Sequence, residues 1–436
     1  MVTETKTDRS LPQGVGEFTP GWWAFTVAAV LVLVAGVAAY VYQLIEGMSV
    51  TGLANTGTQG GATWGLYVVM VEYFIGVSLA GIVLVAFTKV FDIGALRPVS
   101  RVAVLLTVAS LMVGVLSVLL DLGNPLRGII NMMLYARPQS PFFGTFTLVA
   151  VGLTLTSLVY LYLDGRPDAA RLVEVDSGLR WYHRLWAAGY SNTDAERARH
   201  RRTMFWMSIL VVPLVVIALS TEGLVFGIQV GRPGWYGSLQ GPDFLALAAA
   251  SSLANLIVLT VIVRRIGGNR GQLVKPVVFR WLGGLLLVAT AVSVYFQIVE
   301  TFTLLYATPG GERQLADALL TGPYAWIFWP SLLMTVAGLL LLVLQAARKK
   351  WNVGWLVAAS VLVSTSALAE RYLTVVPSQT HGMMLPYEPG SYFPTWVEFT
   401  VVAGLFALGA LLIGLFMKVF PIIPLNDIAE EVKLDA

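Results

Sequence analysis

The sequence predicts an all-α integral membrane protein with about ten transmembrane helices. Apolar residue types make up 57% of the 436 residues and charged types only 12%, about half of the charged fraction of a soluble domain. Such a chain has too few polar side chains to cover a surface that faces water, so much of its apolar surface must face lipid. Runs of about 20 apolar residues, each long enough to cross the hydrocarbon core as a helix, recur along the whole chain.

Ten apolar runs are interpreted as membrane-spanning helices. The first run is too long to be the apolar region of a cleavable signal peptide, and the polar segment before it carries both signs of charge. We therefore predict that it stays in the protein as the first span. The predicted spans are 21–45, 63–87, 102–121, 142–162, 204–228, 243–266, 278–306, 324–346, 351–373 and 395–418.

The distribution of Lys and Arg predicts the orientation, because these residues accumulate on the cytoplasmic side of a membrane. With the N-terminus in the cytoplasm, only five basic residues fall outside, which leaves 23 of the 28 on the cytoplasmic side. The five are Arg127, Arg137, Arg232, Arg313 and Arg371. The predicted organisation is a cytoplasmic tail (1–20), a membrane domain (21–418) and a second cytoplasmic tail (419–436), in the cytoplasmic (inner) membrane of a prokaryote.

One cytoplasmic loop, about 164–203, is longer than the others. Residues 179–186 mix Trp, Tyr, Leu and Arg at helical spacing. This composition is typical of a helix that lies on the anionic inner leaflet. A docking site for a partner protein is the alternative interpretation.

Cysteine and histidine usage excludes several redox centres. The chain contains no cysteine, which excludes disulfides and thiolate-bound iron–sulfur clusters within it. Its three histidines, His183, His200 and His381, lie outside the apolar runs. A haem within the membrane is therefore not predicted, since haem iron most often takes histidine as an axial ligand.

Acidic residues within the spans are the most informative feature, because a carboxylate at membrane depth costs a few kcal/mol. All of them fall in the outer half, so no proton path across the whole membrane is predicted. A position at the end of a helix, where burial is slight, explains some of these acidic residues, but it explains Glu72, Glu222 and Glu300 least well. These three should face the interior of the bundle. Their candidate partners are Arg127, Arg232 and Arg371. A proton-exchanging site near the outer surface is predicted. The acidic residues are Glu72, Asp121, Glu222, Asp243, Glu300, Glu370 and Glu398.

A weak internal repeat suggests a duplication. Residues 78–84, Ser-Leu-Ala-Gly-Ile-Val-Leu, parallel residues 252–258, Ser-Leu-Ala-Asn-Leu-Ile-Val. Two related four-helix bundles, formed by spans 2–5 and 6–9, would produce this pattern.

Several of these segments together resemble the NrfD/PsrC family, the quinone-interacting membrane subunits of modular oxidoreductases. The first core helix is matched by 64–67 (Trp-Gly-Leu-Tyr) and 78–81, and the end of the next helix by 121–127 (Asp-Leu-Gly-Asn-Pro-Leu-Arg). Segment 220–223 (Ser-Thr-Glu-Gly) resembles the outer end of a later helix. Residues 370–373 and 420–425 resemble the longer members, including those of alternative complex III.

The resemblance implies two four-helix bundles with one peripheral helix added at each end of the chain. It implies a quinone site at the outer face, without haem, beside a ferredoxin-like iron–sulfur subunit. That subunit would exchange electrons with a molybdopterin-type catalytic subunit. The quinone type, the direction of electron flow and the terminal substrate stay open.

Site residues follow from the acidic positions together with the resemblance. Glu72, Asp121 and Glu222 are expected to exchange protons with quinol. Four further residues are expected to line the quinone pocket. This chain departs from the family pattern in two ways. Relatives have a tyrosine where this chain has Thr221, and the His and Asn on their first core helix are not evident here. The four are Tyr73, Arg127, Thr221 and Glu300.

Two other functions remain open at this point. Ten spans, a possible repeat and intramembrane carboxylates also suit a secondary transporter or channel. Transporter sites usually lie near the midplane on interrupted helices, whereas these acids lie toward one face. A purely structural anchor for a soluble enzyme is the third interpretation.

Overall fold

The structure, a computed structural model, describes residues 14–53, 63–135, 137, 139–140, 147–174, 178–266, 274–306, 310–381 and 392–425. The predicted tails 1–20 and 419–436 therefore lie largely outside the described residues. Among those residues the regular elements are helices, with no strand. Within the described part of the chain, ten helices are long and apolar enough to cross a membrane, which confirms the predicted class. They are α1 (Pro20–Glu46), α2 (Leu66–Val90), α3 (Gly94–Asp121), α4 (Thr147–Leu172), α5 (Asp194–Gly227), α6 (Gln240–Ile266), α7 (Pro276–Tyr306), α8 (Ala325–Ala347), α9 (Val353–Thr380) and α10 (Trp396–Val419).

The loop predicted at 164–203 is mostly helical. Helix α4 continues to Leu172 and α5 already begins at Asp194, so the connection is about half as long as expected. The apolar runs end where charged residues begin, but a helix can extend beyond the hydrocarbon. A capping box at Thr193 and Glu196 starts α5 inside the segment predicted to be a loop.

A short helix, Arg180–Ala187, lies within this connection, as its helical spacing predicted. Trp181 and Leu185 are exposed, whereas His183 is buried. The Trp186 indole donates to the Tyr162 carbonyl at 3.0 Å. One side of this helix therefore packs on the membrane domain and the other presents apolar side chains.

The eight central helices form two rings of four. In the first ring α2 contacts α3, α3 contacts α4, α4 contacts α5, and α5 returns to α2; α6–α9 repeat this order. Helix α6 joins the rings by packing against α5 and α2. Each ring also carries an 11-residue helix after its second member, Pro125–Tyr135 and Gly310–Leu320. This parallel arrangement supports the duplication hypothesis.

The two peripheral helices pack against each other beside the first ring. Helices α1 and α10 are in contact along their length, and α10 also packs on α3. Gly36 of α1 and Gly404 of α10 meet so closely that a Cβ on Gly36 would lie 2.8 Å from the Gly404 Cα. Small residues allow this close approach of membrane helices. The pair thereby forms one wall of a groove against α2, α3 and α6.

Both ends of the membrane domain, Pro20 and Val419, lie at one face, here called the basic face. The other is called the opposite face. At the basic face, Arg101 is 1% exposed and binds Asp164 and Asp168, both at 2.7 Å. It also donates to the Pro421 carbonyl at 2.9 Å. This ion-pair cluster ties the segment after α10 to α3 and α4.

Helix α2 is interrupted at Ser78, where the backbone leaves the regular helical hydrogen-bond pattern. The Thr107 hydroxyl of α3 donates to the Ser78 carbonyl at 2.7 Å and accepts from the Gly81 N–H at 2.8 Å. A Cβ on Gly81 would lie 2.3 Å from this hydroxyl. Glycine is needed at this position because a larger side chain would collide with the hydroxyl group that satisfies the freed backbone groups of α2. Ser78 and Gly81 therefore have a structural role in α2.

Candidate functional site

Arg371 lies at the centre of the candidate site. Its side chain, on α9, is 2% exposed. The guanidinium carbon is 3.8 Å from the centre of the Phe244 ring, and Nη2 donates to the Phe244 carbonyl at 3.2 Å. Nη1 has no hydrogen-bond partner among the described residues. The cation is thus held by one ring and one carbonyl, and part of its donor capacity stays free.

Five carboxyl groups surround this guanidinium and interact electrostatically with it. They come from α2, α5, α6, α7 and α9, so both rings contribute. The carboxyl groups of Glu72 and Glu222 lie beside each other at the junction of the rings. The five are Glu72, Glu222, Asp243, Glu300 and Glu370.

The arrangement is suited to holding and releasing protons. One guanidinium balances one ionised carboxyl group, and uncompensated charge is costly at membrane depth. Charge balance therefore favours protons on the remaining carboxyl groups. Both oxygens of Glu222 and Oε2 of Glu72 are buried without a hydrogen-bond partner in the described part of the chain. These atoms can bind hydroxyl or carbonyl groups of a ligand.

A cavity of about 70 Å³ adjoins the cluster on its opposite-face side. It is lined by Glu300 and Glu370 together with the amides of Gln240 and Gln297. Both amide atoms of Gln297 lack partners among the residues described. A cavity of this size, with carboxyl and amide groups in its lining, has room for water.

The connection between α5 and α6 covers this cavity. The Trp235 indole donates to the Thr374 carbonyl at 2.5 Å and stacks on Trp64 with ring centres 5.6 Å apart. The Glu312 carboxylate accepts from the Gly234 N–H at 3.1 Å. Burial raises the pKa of Glu312, and this hydrogen bond opposes the shift. The cover is therefore an ordered structure.

Asp121 belongs to a separate polar group. Its electrostatic partner is Glu398 of α10. Glu398 accepts hydrogen bonds from the Tyr392 hydroxyl and, at 2.7 Å, from the Gly52 N–H. The three acids predicted to exchange protons are thus divided, with Glu72 and Glu222 at Arg371 and Asp121 beside Glu398.

Tyr73 also points away from the Arg371 cluster, although it follows Glu72 directly. Successive residues on a helix project about 100° apart. The Tyr73 hydroxyl lies 2.7 Å from Ser364 Oγ and accepts from the Asn255 amide at 3.0 Å. This trio joins α2, α6 and α9 and lies at the end of the groove beside α10.

The other predicted pocket residues differ in their positions. Glu300 lies in the cluster and accepts from the Gln240 amide at 3.0 Å. Thr221 precedes Glu222 and is partly buried, whereas Arg127 is exposed on the helix Pro125–Tyr135. Arg232 donates to the Gln379 carbonyl at 3.0 Å. Of the three cations that the sequence offered as partners, the structure brings Arg371 to the carboxyl groups.

Comparison with known protein families agrees with this architecture. The model of the polysulphide reductase family NrfD matches residues 54–382, about three quarters of the chain. The chain belongs to the NrfD family. The resemblance seen in the sequence is thereby confirmed, and the matched range covers both four-helix rings.

Three relatives align with nearly the whole chain. A protein of Halobacterium salinarum, named as a candidate membrane subunit of dimethyl sulfoxide reductase, is 29% identical over 96% of this chain and 95% of its own. A selenate reductase subunit of Mesobacillus selenatarsenatis is 26% identical over 91% and 93%. The Hdr-like menaquinol oxidoreductase integral membrane subunit of Archaeoglobus fulgidus is 23% identical over 94% and 96%.

Two important features of this NrfD protein were predicted only in part from its sequence. Asn255 stood out only as part of the repeat, and its bond to Tyr73 depends on the contact between α2 and α6. The central role of Arg371 depends on the packing of α9 against α6 and α2. A signal did exist for Arg371, since an arginine inside the end of an apolar span is costly unless buried carboxylates accompany it.

Proposed function

We propose that this protein is the quinone-interacting membrane subunit of a respiratory oxidoreductase complex. The observation that carries the proposal is the pair of adjacent buried carboxyl groups, Glu72 and Glu222, beside the buried Arg371 in an NrfD chain. The names of the relatives support it, since they include a menaquinol oxidoreductase membrane subunit and subunits of two reductases.

Oxidation of a quinol to a quinone releases two protons and two electrons. Glu72 and Glu222 accept hydrogen bonds from the two hydroxyl groups or take up their protons, and Arg371 Nη1 donates to a ring oxygen. The protons leave through the cavity at Glu300 and Glu370. The two electrons would leave one at a time to iron–sulfur clusters of a neighbouring subunit, because this chain has no cysteine ligands for a cluster. Quinone reduction uses the same groups in reverse.

The partner of this proposal is a ferredoxin-like iron–sulfur subunit docked on the opposite face, followed by a molybdopterin-type catalytic subunit. The opposite face is the extracytoplasmic side, and both termini are cytoplasmic. This orientation rests on the excess of Lys and Arg at the basic face. The carboxyl cluster then lies on the partner side of the membrane, close to the electron acceptor.

The test is to purify the complex from native membranes in mild detergent and to mix it anaerobically with a soluble menaquinol analogue. We expect co-purifying iron and labile sulfide, and the electron paramagnetic resonance signal of a reduced cluster after mixing. Molybdenum in the preparation would identify a molybdopterin enzyme. A preparation that contains neither iron nor a partner subunit, and shows no reaction with the quinol, would contradict the proposal.

A further inference from the structure

A long groove lies between the peripheral helix pair and the two rings. Its volume is about 830 Å³, within the range of small-molecule and cofactor sites. It begins at the basic face beside Trp22 and Lys418 and ends within the membrane at Tyr73 and Asn255. Residues with small side chains create much of the space on the α3 and α10 walls. They are Ala109, Ser110, Gly409, Ala410 and Gly414.

The deep end of the groove carries the uncharged polar side chains of Asn255 and Tyr73, whereas Thr19, Trp22 and Lys418 lie at its mouth. Asn255 is 11 residues before the basic-face end of α6, which corresponds to a depth of roughly 16 Å. Its amide nitrogen lies within 3.0 Å of three oxygens, from Tyr73, Ser251 and Ser364, although it carries only two hydrogens. Its amide oxygen accepts no hydrogen bond from the residues that the structure describes. An acceptor is therefore available beside a phenol.

The chemistry of the groove selects its occupant. Uncharged hydrogen-bonding groups at the buried end of a long, mostly apolar channel fit a molecule with a small hydrogen-bonding head and a long apolar tail. A phospholipid would place its charged head at the interface, about 16 Å from Asn255, and would bring only methylene groups to the deep end. An uncharged ring with two oxygens can enter to this depth.

We infer that the groove binds one isoprenoid quinone, with its ring against Asn255 and Tyr73 and its tail along α10 toward the basic face. This inference rests on the proposed function for its ligand class but assigns a second location, away from Arg371. Asn255 would accept a hydrogen bond from a quinol hydroxyl, and the Tyr73 hydroxyl would donate to a quinone oxygen. Binding in the groove holds the ligand near the site without requiring electron transfer there.

The experiment uses a photoreactive azidoquinone with an isoprenoid tail, added to the native complex in lipid vesicles. After illumination, proteolysis and mass spectrometry locate the adducts. We expect adducts on α10 between Phe406 and Met417 and on α6 near Asn255. Gly409→Leu, which extends a side chain into the groove, should lower the adduct yield about tenfold, equivalent to about 1.4 kcal/mol of binding.

A matched control and a second variant make the result specific. Gly284→Leu makes the same change on α7, where a Cβ meets no atom within 4 Å, and should leave the yield unchanged. Ala410→Leu fills the groove from an exposed position and should act like Gly409→Leu if that variant fails to fold. The absence of adducts in the groove, or a yield of groove adducts that neither groove variant lowers, would overturn the inference.

Quinol-driven cluster reduction, measured on the same samples, separates this inference from the proposed function. Adducts in the groove without any quinol-driven reduction would contradict the proposed function but support the binding site in the groove. Quinol-driven reduction without groove adducts would contradict the binding site in the groove but support the proposed function.

Discussion

The guanidinium of Arg371 lies 3.8 Å from the centre of the Phe244 ring, and no carboxylate oxygen of the described residues lies within 4.0 Å of it. A desolvated cation–π contact contributes about 2 kcal/mol. The aromatic ring and the Phe244 carbonyl thus hold the cation, while five carboxyl groups lie farther away. The described carboxyl groups are thus not in direct ion pairs with Arg371.

Replacement of Arg371 by Met should abolish quinol-linked electron transfer. The variant removes the cation that balances the carboxyl groups and the free Nη1 donor, and we expect a loss on the order of 10²-fold. Arg371→Lys keeps the charge but loses the planar donor, so its rate of quinol-linked electron transfer should lie between those of the unchanged protein and Arg371→Met. The measurement is quinol-driven cluster reduction in the purified complex.

The control for this pair is Arg313→Met. Arg313 is exposed on the helix Gly310–Leu320 and approaches Asp317 at 3.6 Å, a surface pair that contributes little. The quinol turnover of the Arg313→Met variant should equal that of the unchanged protein. Equal activities of Arg371→Met and Arg313→Met would show that the buried cation has no role.

Replacement of Asp121 by Asn separates the two acidic groups. Asp121 interacts with Glu398 and is not among the carboxyl groups around Arg371. We expect Asp121→Asn to retain most of its quinol turnover, within about threefold, whereas Glu222→Gln loses on the order of 10²-fold. The turnover of both variants is compared per assembled complex. A larger loss for Asp121→Asn would place the reacting site beside Glu398.

Replacement of Arg101 by Met should destabilise the basic face. Arg101 is buried and pairs with two aspartates. Removing one partner of a buried ion pair costs about 3–5 kcal/mol. The expected results are a lower unfolding temperature in detergent and faster proteolysis after Val419. Arg197→Met, in an exposed pair with Asp194 at 2.6 Å, should change neither, and an equal effect of both would contradict the structural role.

Single cysteines can test the orientation, because the chain has none of its own. Ser238 is exposed at the opposite face and Lys350 at the basic face. In intact cells or spheroplasts, Ser238→Cys should react with a membrane-impermeant maleimide. Lys350→Cys should react only after permeabilisation. The reverse pattern would invert the proposed topology.

The span count was predictable from the sequence because lipid imposes a strict length of apolar residues on each helix. All ten predicted spans correspond to helices. Helix ends were less predictable, as at α4 and α5, because a helix can extend into water when charged residues favour it. The capping pair Thr193 and Glu196 is visible in the sequence but lies in a segment predicted to be a loop.

The site was predictable in part. Burial of Glu72 and Glu222 followed from the cost of carboxylates in spans, and the structure brings these two together. Their grouping with Asp121 and Tyr73 could not be tested from one sequence, because it depends on which side of each helix faces which neighbour. Adjacent residues such as Glu72 and Tyr73 face different surroundings for that reason.

The central claim is that Glu72 and Glu222 exchange protons with quinol beside Arg371. The most direct measurement is quinol-driven reduction of the partner cluster in complexes that carry Glu72→Gln or Glu222→Gln, with Glu46→Gln, at an exposed glutamate, as the matched control. The prediction is normal assembly in all three and a loss on the order of 10²-fold in the first two only. Full activity in both buried variants would contradict the claim.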